Sequence, residues 1–535
     1  MNKAVTIYFY LFSFLLSNLV SSGGHLSRDQ KAYNVSHYKI DLKVDPKKKI
    51  ISGYVDITFK VIDYIEILEI DLIENYNVSK ILINDISFPF KHENNKILVS
   101  IVNIEVGNKY ICHIEYKGKP PIAKNPPWDG GVTWEKSNDG YPWVSVSCQS
   151  NGAHIWYPCK EHPSDKPDSA DIYITIPRGL KVASNGLLQS KNKVNRSWEK
   201  WHWKTKYPIA TYNINFTIGN FEHVERTSYL YKKPLKIVYY VLNQSSDKAD
   251  ELIDKAEIYL SFYSHLFGDY PWINEKFGIV QTPYLGMEHQ TIIAYGNNYK
   301  LNDQGYDFLL FHEIGHEWLG NYLSVPDWAD FWIHEGFTIY SEALYLEELI
   351  GYEAYINFFK NKLSKSIPLS GTIYPHKNAS MVDVKGLNAY YKGAYVLHMI
   401  RYLVGKETLM IILKEFINMN KRLENNQVTT TDFIELVEKI HGQKLDWFFN
   451  VYIYEKNYPT LNKEITSDAM RDYVSFYWSN VDFIMPIDID YISNTGLIKK
   501  RITITDKKIT IPIVKNSLVN INQDNWVLFK LDKKQ

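Results

Sequence analysis

The chain has 535 residues, 45% hydrophobic and 22% charged, the make-up of a folded protein and not of a disordered one. A chain of that length outgrows one core, and about three or four domains are expected. Lys+Arg and Asp+Glu both number 60, so the formal net charge is zero. That argues against nucleic acid as a partner and against electrostatic attachment to a membrane surface.

At the N-terminus, Lys3 precedes an apolar run over residues 4–16, and small residues follow through Gly24, with Val20 and Ser22 suitably placed before a cut. Residues 1–22 are therefore expected to be a secretory signal that is removed, which makes the protein periplasmic, extracellular or surface-bound. Left uncut, the same run reaches Val20 and would anchor the chain in a membrane. The three cysteines leave two alternatives: Cys148 and Cys159 pair and Cys112 is left over, or all three are buried thiols.

Residues 25–225 read as an all-β domain, expected to form a large saddle-like sheet. Tyr38-Lys39-Ile40-Asp41-Leu42-Lys43-Val44 and Asp171-Ile172-Tyr173-Ile174-Thr175-Ile176 alternate apolar and polar side chains, the period of a half-buried strand. Within this domain Ser147-Cys148-Gln149-Ser150-Asn151-Gly152 reads, on its residues alone, as a structured loop. Helical spacing then appears over residues 246–267 (Leu252, Ala256, Tyr259, Leu260, Tyr263), and Gly268-Asp269-Tyr270-Pro271 stops it. A short strand over 276–281 leads into the loop Thr282-Pro283-Tyr284-Leu285-Gly286-Met287-Glu288-His289-Gln290.

Phe311 to Gly336 is where the chemistry concentrates. His312-Glu313-Ile314-Gly315-His316 on a helix puts two imidazoles one turn apart on one face, and a second helix-like run carries Glu335. Two nitrogens and one carboxylate leave a tetrahedral Zn²⁺ with an open fourth position, which is the catalytic arrangement; a structural site would close with four side chains. A metzincin is excluded, because Leu319 and Tyr322 stand where that motif needs Gly and His. Glu342, two turns beyond Glu335, either faces solvent or orients a ligand histidine from behind. Beyond Asn388-Ala389-Tyr390-Tyr391-Lys392-Gly393, amphipathic helices over 406–419 and 430–440 complete a mainly helical domain over 226–455. Residues 456–535 alternate again and are expected to form a small β-sandwich, giving a multidomain α+β protein.

These motifs together resemble the gluzincin zinc aminopeptidases, the family of membrane alanyl aminopeptidase and leukotriene hydrolase, over nearly the whole chain. The resemblance implies a thermolysin-like catalytic domain in which His312, His316 and Glu335 bind one zinc ion and Glu313 is the general base. It implies that Tyr390, not Tyr391, stabilises the oxyanion. The Gly286-Met287-Glu288 stretch is similar to the family's exopeptidase loop, which makes Glu288 the anchor of a peptide's free α-ammonium, Gly286 a backbone contact and Tyr284 a wall of the first pocket. It also raises Gln149 from a loop residue to a candidate for holding the amine or the first carbonyl. Two positions depart from the pattern: Leu285 replaces a glycine and His289 an asparagine. Residues 456–535, which alternate as strands, are not expected to form the helical superhelix that many members carry. The implied activity is removal of N-terminal residues from peptides; its rivals are hydrolysis of a non-peptide epoxide and a zinc-bound binding protein without turnover.

Overall fold

A computed structural model describes residues 20–368, 370–419, 426–479, 483–505 and 507–533. The expected signal lies outside them, except for Val20, Ser21 and Ser22. The alternation at Tyr38 to Val44 becomes strand β1, Tyr33–Asp45, with Tyr38, Ile40, Leu42 and Val44 fully buried and the residues between them facing out. It pairs antiparallel with β2, Ile50–Val61, and parallel with Ser169–Pro177. These are the central strands of an eight-stranded sheet. In a four-stranded sheet, Pro142–Ser147 runs directly into the loop that carries Gln149.

A five-stranded sheet follows, in the order Phe221–Ser228, Leu235–Leu242, Phe277–Gln281, Ile293–Tyr295 and Gly286–Met287. Gly286–Met287 is therefore a short edge strand, paired on one side with Ala294 and Tyr295. The main helices are α1 (Ala249–Phe267), α2 (Phe308–Gly315), α3 (Trp332–Ile350), α4 (Gly393–Val404), α5 (Lys406–Met419) and α6 (Thr430–His441). Beyond them, the C-terminal strands make a four-stranded sheet, including Thr460–Ser467 and Arg471–Trp478, and a three-stranded one, including Met485–Ser493 and Gly496–Ile504. The architecture is a β-rich N-terminal domain, a helical catalytic domain and a β-rich C-terminal region.

The chain packs as two units. One holds the described residues up to Lys255 with Trp272–Lys300 and Asn378–Asp383, and the other holds Ala256–Pro271, Leu301–Lys377 and the described residues from Val384 on. No helix of the described residues is long and apolar enough to cross a membrane. Cys112, Cys148 and Cys159 are all free and buried, so of the two cysteine alternatives the buried thiols are the one that forms. Cys148 Sγ donates to Tyr212 O and Cys159 Sγ faces Glu161, each engaged apart from the other.

Candidate active site

In the second unit, α2 is started by Asp307, whose carboxylate accepts from the Leu310 N–H at 3.2 Å. The helix ends at Gly315, and His316 is its C-cap, still hydrogen-bonded by its N–H to His312 O at 3.3 Å. The i, i+4 relation between the two imidazoles therefore survives the helix end. Gly315 has no room for a side chain, because a Cβ there would lie 2.4 Å from the Tyr263 hydroxyl. Glu335 enters from the first turn of α3.

The three donor atoms converge. His312 Nε2 and His316 Nε2 are 3.1 Å apart, and Glu335 Oε2 lies 3.4 Å from the first and 3.6 Å from the second. Ligands of a tetrahedral zinc at 2.0–2.1 Å sit about 3.3 Å from one another, so the spacing fits one such ion. Glu335 Oε2 is buried and accepts no hydrogen bond from the described residues. Burial alone would raise the Glu335 carboxyl, but His316 and His312 hold it well below the usual range, so it is ionised. A proton shared among these groups satisfies two of them at a time, whereas a dication uses all three at once.

The atoms behind the donors fix which way each ring faces. His312 Nδ1 lies 3.3 Å from Glu342 Oε1, and His316 Nδ1 lies 2.8 Å from Leu319 O and 3.4 Å from Thr338 Oγ1. Both Nδ1 atoms face acceptors and carry the hydrogen, which leaves Nε2 as the lone-pair donor in each ring. Glu342 is fully enclosed and also meets the Tyr306 hydroxyl at 3.3 Å and Lys362 Nζ at 3.7 Å. Of the two readings of Glu342, the structure places it behind His312. Glu313 is buried on α2, and its charge is one of those acting on His312.

Tyr390 sits in a single wide turn, Asn388–Lys392, at the start of α4, with its ring edge-on to Phe331 at 6.0 Å. Its place beside α3 depends on two glycines: a Cβ on Gly336 would meet the Gly393 backbone at 2.9 Å. Tyr391 is half-buried, and its phenol is pushed up by burial and by the Glu342 charge.

In the first unit, Glu288 is buried and accepts two hydrogen bonds on Oε1, one from the Gln149 side-chain amide and one from the Tyr212 hydroxyl at 3.0 Å. Gln149 and Glu288 are thus brought together across 139 residues of sequence. The Tyr284 hydroxyl donates to Val146 O at 2.8 Å, which ties this side chain to the strand before Gln149. His289 is fully buried with no partner on either ring nitrogen among the described residues, and burial pushes it down to about 3, so it is neutral. Sequence reasoning missed Tyr212 and Thr338. Helical spacing from Glu335 could have found Thr338, but nothing in a lone sequence distinguishes Tyr212.

Helical HExxH-type centres behind an N-terminal β-domain define a class of zinc peptidase, and comparison with known proteins places the chain within it. The peptidase family M1 domain matches residues 252–452 and the peptidase M1 N-terminal domain residues 34–213. The chain belongs to the M1 peptidase family. It is 25% identical over 336 residues to glutamyl aminopeptidase of Sus scrofa, covering 58% of this chain and 34% of that one. It is 22% identical over 390 residues to leucyl aminopeptidase of Saccharolobus solfataricus, covering 69% and 47%. The chain thus spans a third to a half of the length of these curated relatives. The M1 zinc metallopeptidase of Deinococcus radiodurans shares the fold with a TM-score of 0.65 at 22% identity, covering 76% of this chain and 90% of that one. Aminopeptidase A of Legionella pneumophila, solved with aspartic acid, gives 0.76 at 16% identity, covering 96% and 60%. The gluzincin resemblance drawn from the motifs is borne out.

Proposed function

We propose that the protein is a zinc-dependent aminopeptidase that removes the N-terminal residue from peptides. The convergence of His312 Nε2, His316 Nε2 and Glu335 Oε2 within 3.1–3.6 Å of one another carries this reading. These three residues would hold the ion. Zinc bound there supplies a Lewis acid and brings the attacking water's pKa toward neutrality.

The chain's own groups do the rest. Glu313 takes a proton from the attacking water and returns it to the leaving amine. Tyr390 donates a hydrogen bond to the oxyanion as the carbonyl becomes tetrahedral. Glu288, oriented by Gln149 and Tyr212, binds the α-ammonium, so an extended peptide must enter N-terminus first. Gly286 offers its edge-strand backbone to that peptide as an added strand, and the Tyr284 ring lines the first pocket. Export to the periplasm, the surface or the medium belongs to the same reading and is supported by the charged-then-apolar N-terminus.

A panel of aminoacyl fluorogenic amides, assayed with and without chelator, tests it. Cleavage of free-amine substrates is expected, and none of N-acetylated ones. Glu313→Gln should lower kcat about 10²- to 10⁴-fold while zinc stays bound, and Glu288→Ala should act mainly on KM. Turnover that survives chelation, or that is unaffected by Glu313→Gln, defeats the proposal.

A further inference from the structure

Ser22 is built into the interior of the first unit. Its side chain is fully buried, and its hydroxyl donates to Glu161 Oε1 at 2.7 Å. Its N–H donates to Ser150 O at 3.1 Å, and its carbonyl accepts from the Met381 N–H at 3.0 Å. On one side, Val20 O accepts from the Asn151 side-chain amide at 3.2 Å. On the other, the Gly24 N–H donates to Ala379 O at 3.0 Å, and Gly24 O faces His162 Nε2 at 3.0 Å. Ser150 and Asn151 directly follow Gln149, so this segment is tied to the same turn that presents the Gln149 amide to Glu288.

Glu161 is the other half of the device. Its Oε2 accepts from the Ala153 N–H at 2.6 Å, and a Cβ on Gly152 would strike its side chain at 2.6 Å. Glu161 thus fills the inside of the Gln149 turn, and Ser22 holds its remaining oxygen. Taking that hydroxyl away removes a donor from a buried carboxylate, which costs more than an ordinary surface bond.

We propose that Ser22 is retained in the mature enzyme, with any leader cut before it, and that through Glu161 and Ser150 it positions the Gln149 turn for the substrate's ammonium. A cut after Ser22, which the small residues at Val20 and Ser22 allow, would remove all of Ser22's contacts. A cut just before it leaves them in place and sets a new ammonium against Ser150 O. The positioning half rests on the aminopeptidase reading; retention does not.

N-terminal sequencing of the protein, exported with its own leader and purified, should find a first residue at Ser22 or upstream; Gly23 or later overturns the proposal. Chains made to begin at Ser22 and at Gly23 then separate the two halves. The Gly23 chain should melt a few degrees lower. Its KM for an aminoacyl amide should rise about fivefold or more, the cost of one hydrogen bond, with kcat and zinc content nearly unchanged. Ser22→Ala, which keeps the backbone contacts, should reproduce the KM effect. Equal melting overturns the claim that Ser22's contacts hold the fold, equal KM overturns positioning, and retention itself stands or falls with the N-terminal residue found. A wild type that melts as expected but cleaves nothing defeats the aminopeptidase reading alone.

Discussion

Single side chains decide whether this centre holds an ion. Glu342 meets His312 at its far nitrogen, and that contact favours the tautomer in which the near nitrogen is free to bind. Glu342→Ala should weaken zinc about 10- to 100-fold, measured by competition with a chromogenic chelator, while His312→Ala should abolish stoichiometric binding. Asp330 shows how burial enters the pH dependence. It accepts from the Thr430 N–H at 2.8 Å, at the first residue of α6, whose N-cap is Thr429, and its enclosure pushes its carboxyl up to about 6 despite that hydrogen bond. The folded state therefore keeps this proton longer than the unfolded chain does. The stability it contributes is full below the ordinary carboxylate value and is lost as pH rises through about 6. Asp330→Asn should thus gain on the wild type by about 2 kcal/mol between pH 4 and pH 7, read from paired denaturation curves. At this scale, the donor set was legible because the i, i+4 spacing and a later Glu leave few geometries. Tyr212 and Glu161 were not, because Glu288 and Ser22, with which they bond, are distant in sequence and only the fold brings them near.

The elements repeat that division. Alternation at Tyr38 to Val44 and the helical period around Leu252 marked β1 and α1 correctly, since one face of each is buried and the period records it. Strand order was not legible: the parallel pairing of β1 with Ser169–Pro177 spans well over a hundred residues, and nothing local specifies it. The end of α2 at Gly315, with His316 as cap, also escaped the motif, which suggests a helix running through both histidines. The seam between α3 and α4 makes a sharper demand. Gly336→Ala sets a methyl 2.9 Å from the Gly393 backbone, so the helices must part. A loss of about 1–3 kcal/mol is expected from chemical denaturation, with a fall in kcat as the Tyr390 turn moves with α4.

Across the whole molecule, the succession of strand-period, helix-period and strand-period stretches foretold the architecture, whereas the grouping of Trp272–Lys300 and Asn378–Asp383 with the N-terminal part is a property of packing that no stretch announces. Zinc links site to stability, because an ion bound only by the folded chain raises its melting temperature. Stripping the metal should lower the transition by roughly 5 °C or more, and re-adding zinc should restore it. The three enclosed thiols carry a last consequence. Burial lifts each of them far from thiolate, and none is bridged. Folding of the described residues then rests on no disulfide bond. Dithiothreitol should leave its melting curve where it was, provided zinc is kept in excess.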